Sequence, residues 1–174
     1  MISVVGVGDD VLSHDSRGWG PCSGARVLVV DDDAEMRAML TSKLEGVGCV
    51  AYGATSGREA LKVLTSLGSQ DGVDLLLMDL RMPGPDGLEV LRELRAAQQL
   101  PPAILMTAFA EPLVRTEALR LAIHLLDKPF TFEALRRVAA LLILSKRIER
   151  QRNSERASVR DTFRRSVSSR PSLR

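Results

Sequence analysis

Leu75-Leu76-Leu77-Met78-Asp79-Leu80-Arg81-Met82-Pro83-Gly84-Pro85-Asp86-Gly87 decides how this chain folds. Four apolar residues without a charge among them read as a short strand buried on both faces. A carboxylate, Asp79, closes it. The Pro/Gly-rich turn that follows lets no regular element continue. An ionised carboxylate at the edge of an apolar layer is costly unless something pairs with it. The partners of Asp79 are therefore to be sought at the ends of other strands.

Outward from this run the text alternates. Upstream, Val27-Leu28-Val29-Val30 is a second buried strand. A helix is expected over 34–45, with Met36, Met39, Leu40 and Leu44 on one face and Gly46 as its stop. Cys49 to Tyr52 reads as a weaker strand, and Ser56 can cap a helix to Leu67 with Ala60, Leu61 and Leu64 inward. Downstream, Asp86 or Gly87 starts a helix with Leu88, Leu91 and Leu94 on its apolar side. Pro101-Pro102 leads into the strand Ala103-Ile104-Leu105-Met106-Thr107. A helix over 112–121, the strand His124-Leu125-Leu126-Asp127 and a last helix from about Thr131 past Leu144 complete the series. Five short strands alternating with five helices specify an α/β fold, a doubly wound parallel sheet with right-handed crossovers and helices on both faces. Chemistry in such sheets sits at the carboxyl ends of the strands.

Those ends carry Asp31-Asp32-Asp33, Asp79, Thr107-Ala108 and Lys128-Pro129-Phe130. Taken singly, each has a bland reading. The Asp run can cap the first helix, Thr107 is a strand-end hydroxyl, and Lys128 is a surface lysine. Taken together, they put several acids, one hydroxyl and one ammonium into one crevice. Two like charges ~4 Å apart repel by about 4 kcal/mol at an intermediate dielectric. A divalent cation removes that penalty, and an all-oxygen donor set with few protein ligands favours Mg²⁺. A carboxylate beside Mg²⁺ and a lysine can attack phosphorus and form an acyl phosphate. Thr107 and the next backbone N–H can donate to a phosphoryl oxygen, small Ala108 leaves room for it, and Lys128-Pro129 is a candidate cis bond.

From about Arg26 to Leu144 these landmarks, Asp-Asp, Met-Asp-Leu-x-Met-Pro, hydrophobic-Thr-Ala and Lys-Pro-Phe, resemble the receiver domain of bacterial two-component response regulators. The resemblance implies a flavodoxin-like five-stranded sheet in the order 2-1-3-4-5. It implies Asp79 as phosphoacceptor and Asp31, Asp32 and Asp79 around Mg²⁺, with Thr107 and Lys128 on the phosphoryl group. The donor would be a phosphohistidine on a sensor kinase or phosphotransfer protein. The match departs at Leu125, where the family usually carries Tyr or Phe. Phosphorylation without the usual aromatic readout is the expectation there. Arg81 and Phe109, each two places past a site residue, are expected to govern water access and the lifetime of the adduct; Pro129 is counted with these modulators.

Two other functions compete with this one. A haloacid dehalogenase-type phosphatase fits Asp31-x-Asp33 superficially, but it leaves Asp79 unexplained and finds no acidic pair after Lys128. A transcription regulator would use the basic tail, but residues 145–174 read as too short for the three-helix DNA-binding domain often attached to receivers.

Residues 1–24, rich in Gly, Ser and Asp, read as a disordered leader, 25–145 as the receiver, and 146–174 as a basic helical or disordered tail. Gly6-Val7-Gly8 lacks the strand and helix that a dinucleotide loop requires. From Ser145 onward ten basic and three acidic residues give +7, which leaves about −5 for the rest of a chain of net charge +2. Nucleic acid is not the expected partner of this tail. Leu141, Leu144 and Ile148 form a second apolar stripe on the last helix, beside the inward stripe Leu135, Val138, Ala139 and Leu142. A homodimer or partner contact is expected there. Cys22 and Cys49 lack metal-ligand spacing and read as reduced thiols, His124 as structural. With no signal peptide and no long apolar run, a cytoplasmic protein without membrane insertion is expected.

Overall fold

The computed structural model describes residues 22–68 and 72–168, with residues 161–168 through their backbone alone. Most of the proposed leader and the last residues of the tail lie outside this range. Ten elements alternate along the chain: β1 (Arg26–Val30), α1 (Ala34–Gly46), β2 (Val50–Ala54), α2 (Gly57–Leu67), β3 (Leu75–Asp79), α3 (Gly87–Ala96), β4 (Ala103–Thr107), α4 (Pro112–Leu121), β5 (His124–Asp127) and α5 (Phe132–Ser168). The five strands form one parallel sheet in the order β2-β1-β3-β4-β5. This is the doubly wound topology expected.

The three central strands are buried because helices cover both faces. Every residue of β3 and β4 is buried, and so are four of the five in β1. Alternate side chains enter two cores. Leu28, Leu76, Met78 and Leu105 pack with α2, α3 and α4; Val27, Leu75, Leu77, Ile104 and Met106 pack with α1 and α5. β5 splits the same way, with Leu125 against the first core and Leu126 against the second.

Helix starts follow cap chemistry. Asp33 accepts from the N–H groups of Glu35 and Met36, and Ser56 accepts from that of Glu59. Asp86 and Glu89 form a reciprocal capping box at α3. Pro112 starts α4, where its missing N–H costs nothing.

Several sequence readings shift. β2 runs over Val50–Ala54 rather than 49–52. As an edge strand it has little apolar periodicity to mark its ends, and the Cys49 N–H bonds back to Leu44 at the close of α1. Gly46 belongs to α1 instead of stopping it. Met39 is exposed, because the row facing the core is Met36, Leu40 and Leu44, four residues apart. Cys22, inside the stretch read as leader, is fully buried beside Cys49 and α5. Burial raises both thiols, Cys49 to about 11, so both stay protonated and unreactive.

α5 buries Leu135, Ala139 and Ile143, and Leu144 packs partly against the same core. Its next turns are fastened to the base of the sheet. Lys146 donates to the Val73 carbonyl, and Arg150 pairs with buried Asp74 at 2.9 Å. Asp74 also accepts from the Arg26 N–H at 2.9 Å. Burial, reinforced by Arg150, lowers the Lys146 ammonium to about 8. Its folded value lies below its unfolded one, so between about pH 8 and 10 the unfolded chain holds more protons and this residue adds stability as pH rises. Cys49 titrates in the opposite sense over that range. The expected result is therefore a difference: wild type gains stability over Lys146→Met between pH 7.5 and 10, read by urea denaturation. Parallel curves for the two would contradict it.

Candidate functional site

Three strands of the parallel sheet, the neighbours β1 and β3 and, beyond β4, the edge strand β5, each deliver one member of a cluster at the carboxyl edge. β1 runs into Asp31, β3 ends in Asp79, and Lys128 follows β5. Lys128 Nζ lies 2.6 Å from Asp79 Oδ1 and 3.0 Å from Asp31 Oδ2. Asp31 and Asp79 are buried and the ammonium is partly so. The carboxylates of Asp31, Asp32 and Asp79 each offer an oxygen within 4.8 Å of the others. Asp32 is exposed, whereas the other two are buried.

The Asp run divides its work. Asp33 caps α1, and its two backbone N–H donors hold its carboxyl below the usual range. Capping by Asp33 leaves Asp31 and Asp32 for the pocket. Asp31 Oδ1 accepts from the Asp33 N–H at 3.0 Å, which fixes its rotamer and leaves Oδ2 to Lys128.

Asp79 is held at both oxygens. Oδ1 takes the lysine, and Oδ2 accepts from the Arg81 N–H at 2.8 Å. Burial raises its pKa above the ordinary carboxylate value, making it the weaker acid. Lys128 opposes that rise, and nearby Asp31 adds to it. For Lys128 burial acts downward, but the two carboxylates outweigh it and keep the ammonium charged. A basic carboxylate facing a fixed cation is chemically suited to attack an electrophile and to share the negative charge that arrives with it.

The other predicted residues are placed less tightly. Thr107 is buried, and its hydroxyl donates to the Phe109 carbonyl at 3.0 Å while accepting from the Phe109 N–H at 3.2 Å. It closes on its own loop rather than on Asp79 or Lys128. The Lys128 N–H donates to the Thr107 carbonyl at 2.6 Å, which ties the two strand ends together. The Lys128-Pro129 bond is cis. Ala108 and Pro129 are exposed, and Phe109 is 74% exposed. Arg81 pairs with Glu111 at 3.5 Å across the mouth between the loops after β3 and β4. Leu125 is half-buried against the core of α2, α3 and α4.

Sequence reasoning missed two residues that shape the site. Gly87 at the start of α3 lies against the backbone of Asp79; a Cβ there would come within 2.1 Å of the Asp79 carbonyl oxygen. Arg37 on α1 donates to the Asp31 carbonyl at 2.7 Å. For the first, the signal was glycine at a helix start already capped by Asp86.

The acidic cluster fits a hard divalent cation, since all its donors are carboxylate oxygens and two of them are buried. The family model for the response regulator receiver domain matches residues 27–140. Regulatory protein AtoC of Escherichia coli (strain K12) is 39% identical over 111 residues, 63% of this chain and 23% of that protein. Transcriptional regulatory protein CpxR of the same strain is 37% identical over 135 residues, 76% of this chain and 56% of that protein. The chain thus spans just under a quarter of one of these relatives and little more than half of the other. Among solved structures, the Thermotoga maritima response regulator TrrA in complex with Mg(2+)-BeF is 34% identical with a TM-score of 0.60, over 68% of this chain and 98% of that one. The receiver domain of Francisella response regulator 1452 is 27% identical with a TM-score of 0.64, over 71% and 99%. Among the described residues no helix is long and apolar enough to cross a membrane. With strand order, pocket and sequence all in agreement, this chain belongs to the response regulator receiver domain family of two-component systems.

Proposed function

We propose that the chain accepts a phosphoryl group on Asp79, in a Mg²⁺-dependent reaction, from the phosphohistidine of a sensor kinase or phosphotransfer protein. The observation that carries this reading is the contact of Lys128 with both Asp79 and Asp31 in a buried acidic pocket. An Asp79 carboxylate oxygen forms the new O–P bond as the donor's N–P bond breaks, and the electron pair stays with the imidazole. Both Asp79 oxygens are engaged before reaction, so one contact yields. Lys128 moves from Oδ1 onto an oxygen of the arriving group, where its charge is needed next. Asp31, Asp32 and Asp79 would hold the cation, which supplies charge neutralisation at the phosphoryl oxygens. Thr107 would exchange its bond to Phe109 for one to the phosphoryl group, drawing the loop after β4 inward.

Support for the donor class comes from the family, and support for the cation from the donor set and from the Mg(2+)-BeF complex of TrrA. The phosphatase alternative loses its ground to the family assignment, and the chain is read as a signalling protein rather than an enzyme of turnover. The test is incubation with acetyl phosphate and MgCl₂ followed by intact mass. One added phosphoryl group, absent when the cation is chelated, is the expected result; an unchanged mass would defeat the reading.

Output is a second matter. The sequence made nucleic acid an unexpected partner, and the relatives give that exclusion no support, for they are named as transcriptional regulators. Leu141 and Ile148 are exposed on α5, 67% and 57%, which supports a second copy of this chain as the partner of that stripe. Leu141→Glu with Ile148→Glu is expected to leave a monomer where wild type dimerises, as read by light scattering at rising concentration. A wild type that stays monomeric in both phosphorylation states would rule this contact out.

A further inference from the structure

The acidic loop after β1 has a support that lies outside the pocket. Arg37, on the second turn of α1, turns its side chain back over the end of the sheet. Its Nη1 donates to the backbone carbonyl of Asp31 at 2.7 Å and approaches that of Asp32 at 3.5 Å. These are the carbonyls of the two consecutive residues whose carboxylates point at the cation site. The stem of Arg37 lies on β2, where Gly53 leaves it room. A Cβ on Gly53 would stand 3.4 Å from Arg37 Cδ, 3.5 Å from Cγ and 3.8 Å from Nε. A Cβ at those distances would only touch the stem, so it is the bulk of a branched side chain beyond Cβ that would displace it. The Asp31 N–H is meanwhile bound to the Ala54 carbonyl, one residue beyond Gly53, at 3.2 Å. Asp31 is therefore gripped on both backbone sides by the same stretch of β2, directly at its N–H and through Arg37 at its carbonyl.

Among the described residues, Arg37 is the side chain of α1 that donates to the backbone carbonyls of this loop. One nitrogen, Nη1, serves both carbonyls, and the stiff, planar guanidinium loses less freedom in holding that bond than a lysine ammonium would.

We propose that Arg37 is the positioning residue of the cation-binding loop, with Gly53 as its floor: it sets the backbone of Asp31 and Asp32 so that their carboxylates converge before any cation arrives. The inference rests on the reading of that pocket as a Mg²⁺ site.

The test is an NMR titration of the full chain with MgCl₂, following the amide of Asp33, alongside phosphorylation by acetyl phosphate at saturating MgCl₂. Arg37→Met is expected to weaken Mg²⁺ binding about tenfold, as loss of a residue that orients metal ligands commonly does. The phosphorylation rate at saturation is expected to stay within about twofold, because the reacting atoms are untouched. Arg37→Lys keeps the charge and is expected to restore only part of the affinity. Gly53→Val leaves every charge in place, suits a strand and displaces the arginine stem, so it should weaken Mg²⁺ binding in the same way. The double variant Arg37→Met with Gly53→Val should lose no more than either alone. Wild-type affinity in folded Arg37→Met or in Gly53→Val would overturn the proposal, and so would additive losses in the double variant. Full affinity in Arg37→Lys would show that the shape of the guanidinium does not position the loop and would overturn the proposal too. Wild type showing no Mg²⁺ shifts at all would instead strike down the reading of the pocket, and this inference with it.

Discussion

Asp79→Asn is expected to take up no phosphoryl group from acetyl phosphate under conditions that add one to each wild-type chain. The substitution keeps the shape of the side chain and can keep the acceptor bond to the Arg81 N–H. It removes the negative oxygen that faces Lys128 at 2.6 Å. An amide is a poor nucleophile, and no amount of positioning restores the lost charge. The fold should survive. Burial already disfavours the ionised form of Asp79, so a neutral residue there relieves one desolvation cost, and Lys128 retains Asp31 at 3.0 Å. The check is intact mass together with a thermal melt. A folded variant that still gains a full adduct would mean that another side chain is the acceptor.

Gly87→Ala carries the largest expected cost in stability. Its Cβ would meet the Asp79 carbonyl oxygen at 2.1 Å, the Asp79 carbonyl carbon at 3.1 Å and the Met78 Cγ at 2.8 Å. The first two belong to backbone in the central strand of the sheet, which cannot rotate away. The Gly87 N–H also donates to the Leu80 carbonyl at 3.0 Å, so α3 cannot retreat without breaking that bond. Overpacking of this kind costs about 3 kcal/mol, which lowers the melting temperature by roughly 10 °C in a domain of this size. Gly46→Ala is the control. A Cβ there meets nothing within 4 Å, and alanine in a helix is favoured over glycine by about 1 kcal/mol, so the melt should rise. Equal melting temperatures for Gly87→Ala and wild type would refute the close packing of α3 on β3. The same shift would move Asp79, so slower phosphorylation should accompany the lower melt.

What the sequence disclosed follows from how locally each feature is determined. β3 and β4 were legible because both their faces are buried and leave uninterrupted apolar runs. α4 and β5 were bounded by Pro112 and by the Asp127-Lys128-Pro129 stop. The edge strand β2 was misplaced by its weak pattern, since half of it faces solvent. In the site, Asp31, Asp79 and Lys128 could be foreseen because strand ends in a parallel sheet share one edge, and the structure puts them in contact. The rest depended on three-dimensional approach. Which residue of the Asp run would cap α1 depended on where the helix begins, and that role fell to Asp33. Arg37 and Gly53 lie on different elements, and only the folded sheet joins them. Thr107 binds its own loop, an arrangement set by the turn after β4 that composition cannot reveal.

The central claim is that Asp79, held by Lys128 beside two further acids, is the residue that carries the phosphoryl group. Reductive trapping tests it most directly. Sodium borohydride converts an aspartyl phosphate to homoserine, and tandem mass spectrometry of the digested chain then locates the change. Homoserine at residue 79, appearing only after exposure to phosphoryl donor and Mg²⁺, is the predicted result. Homoserine at residue 31 or 32, or an adduct that resists borohydride on a hydroxyl side chain, would contradict it.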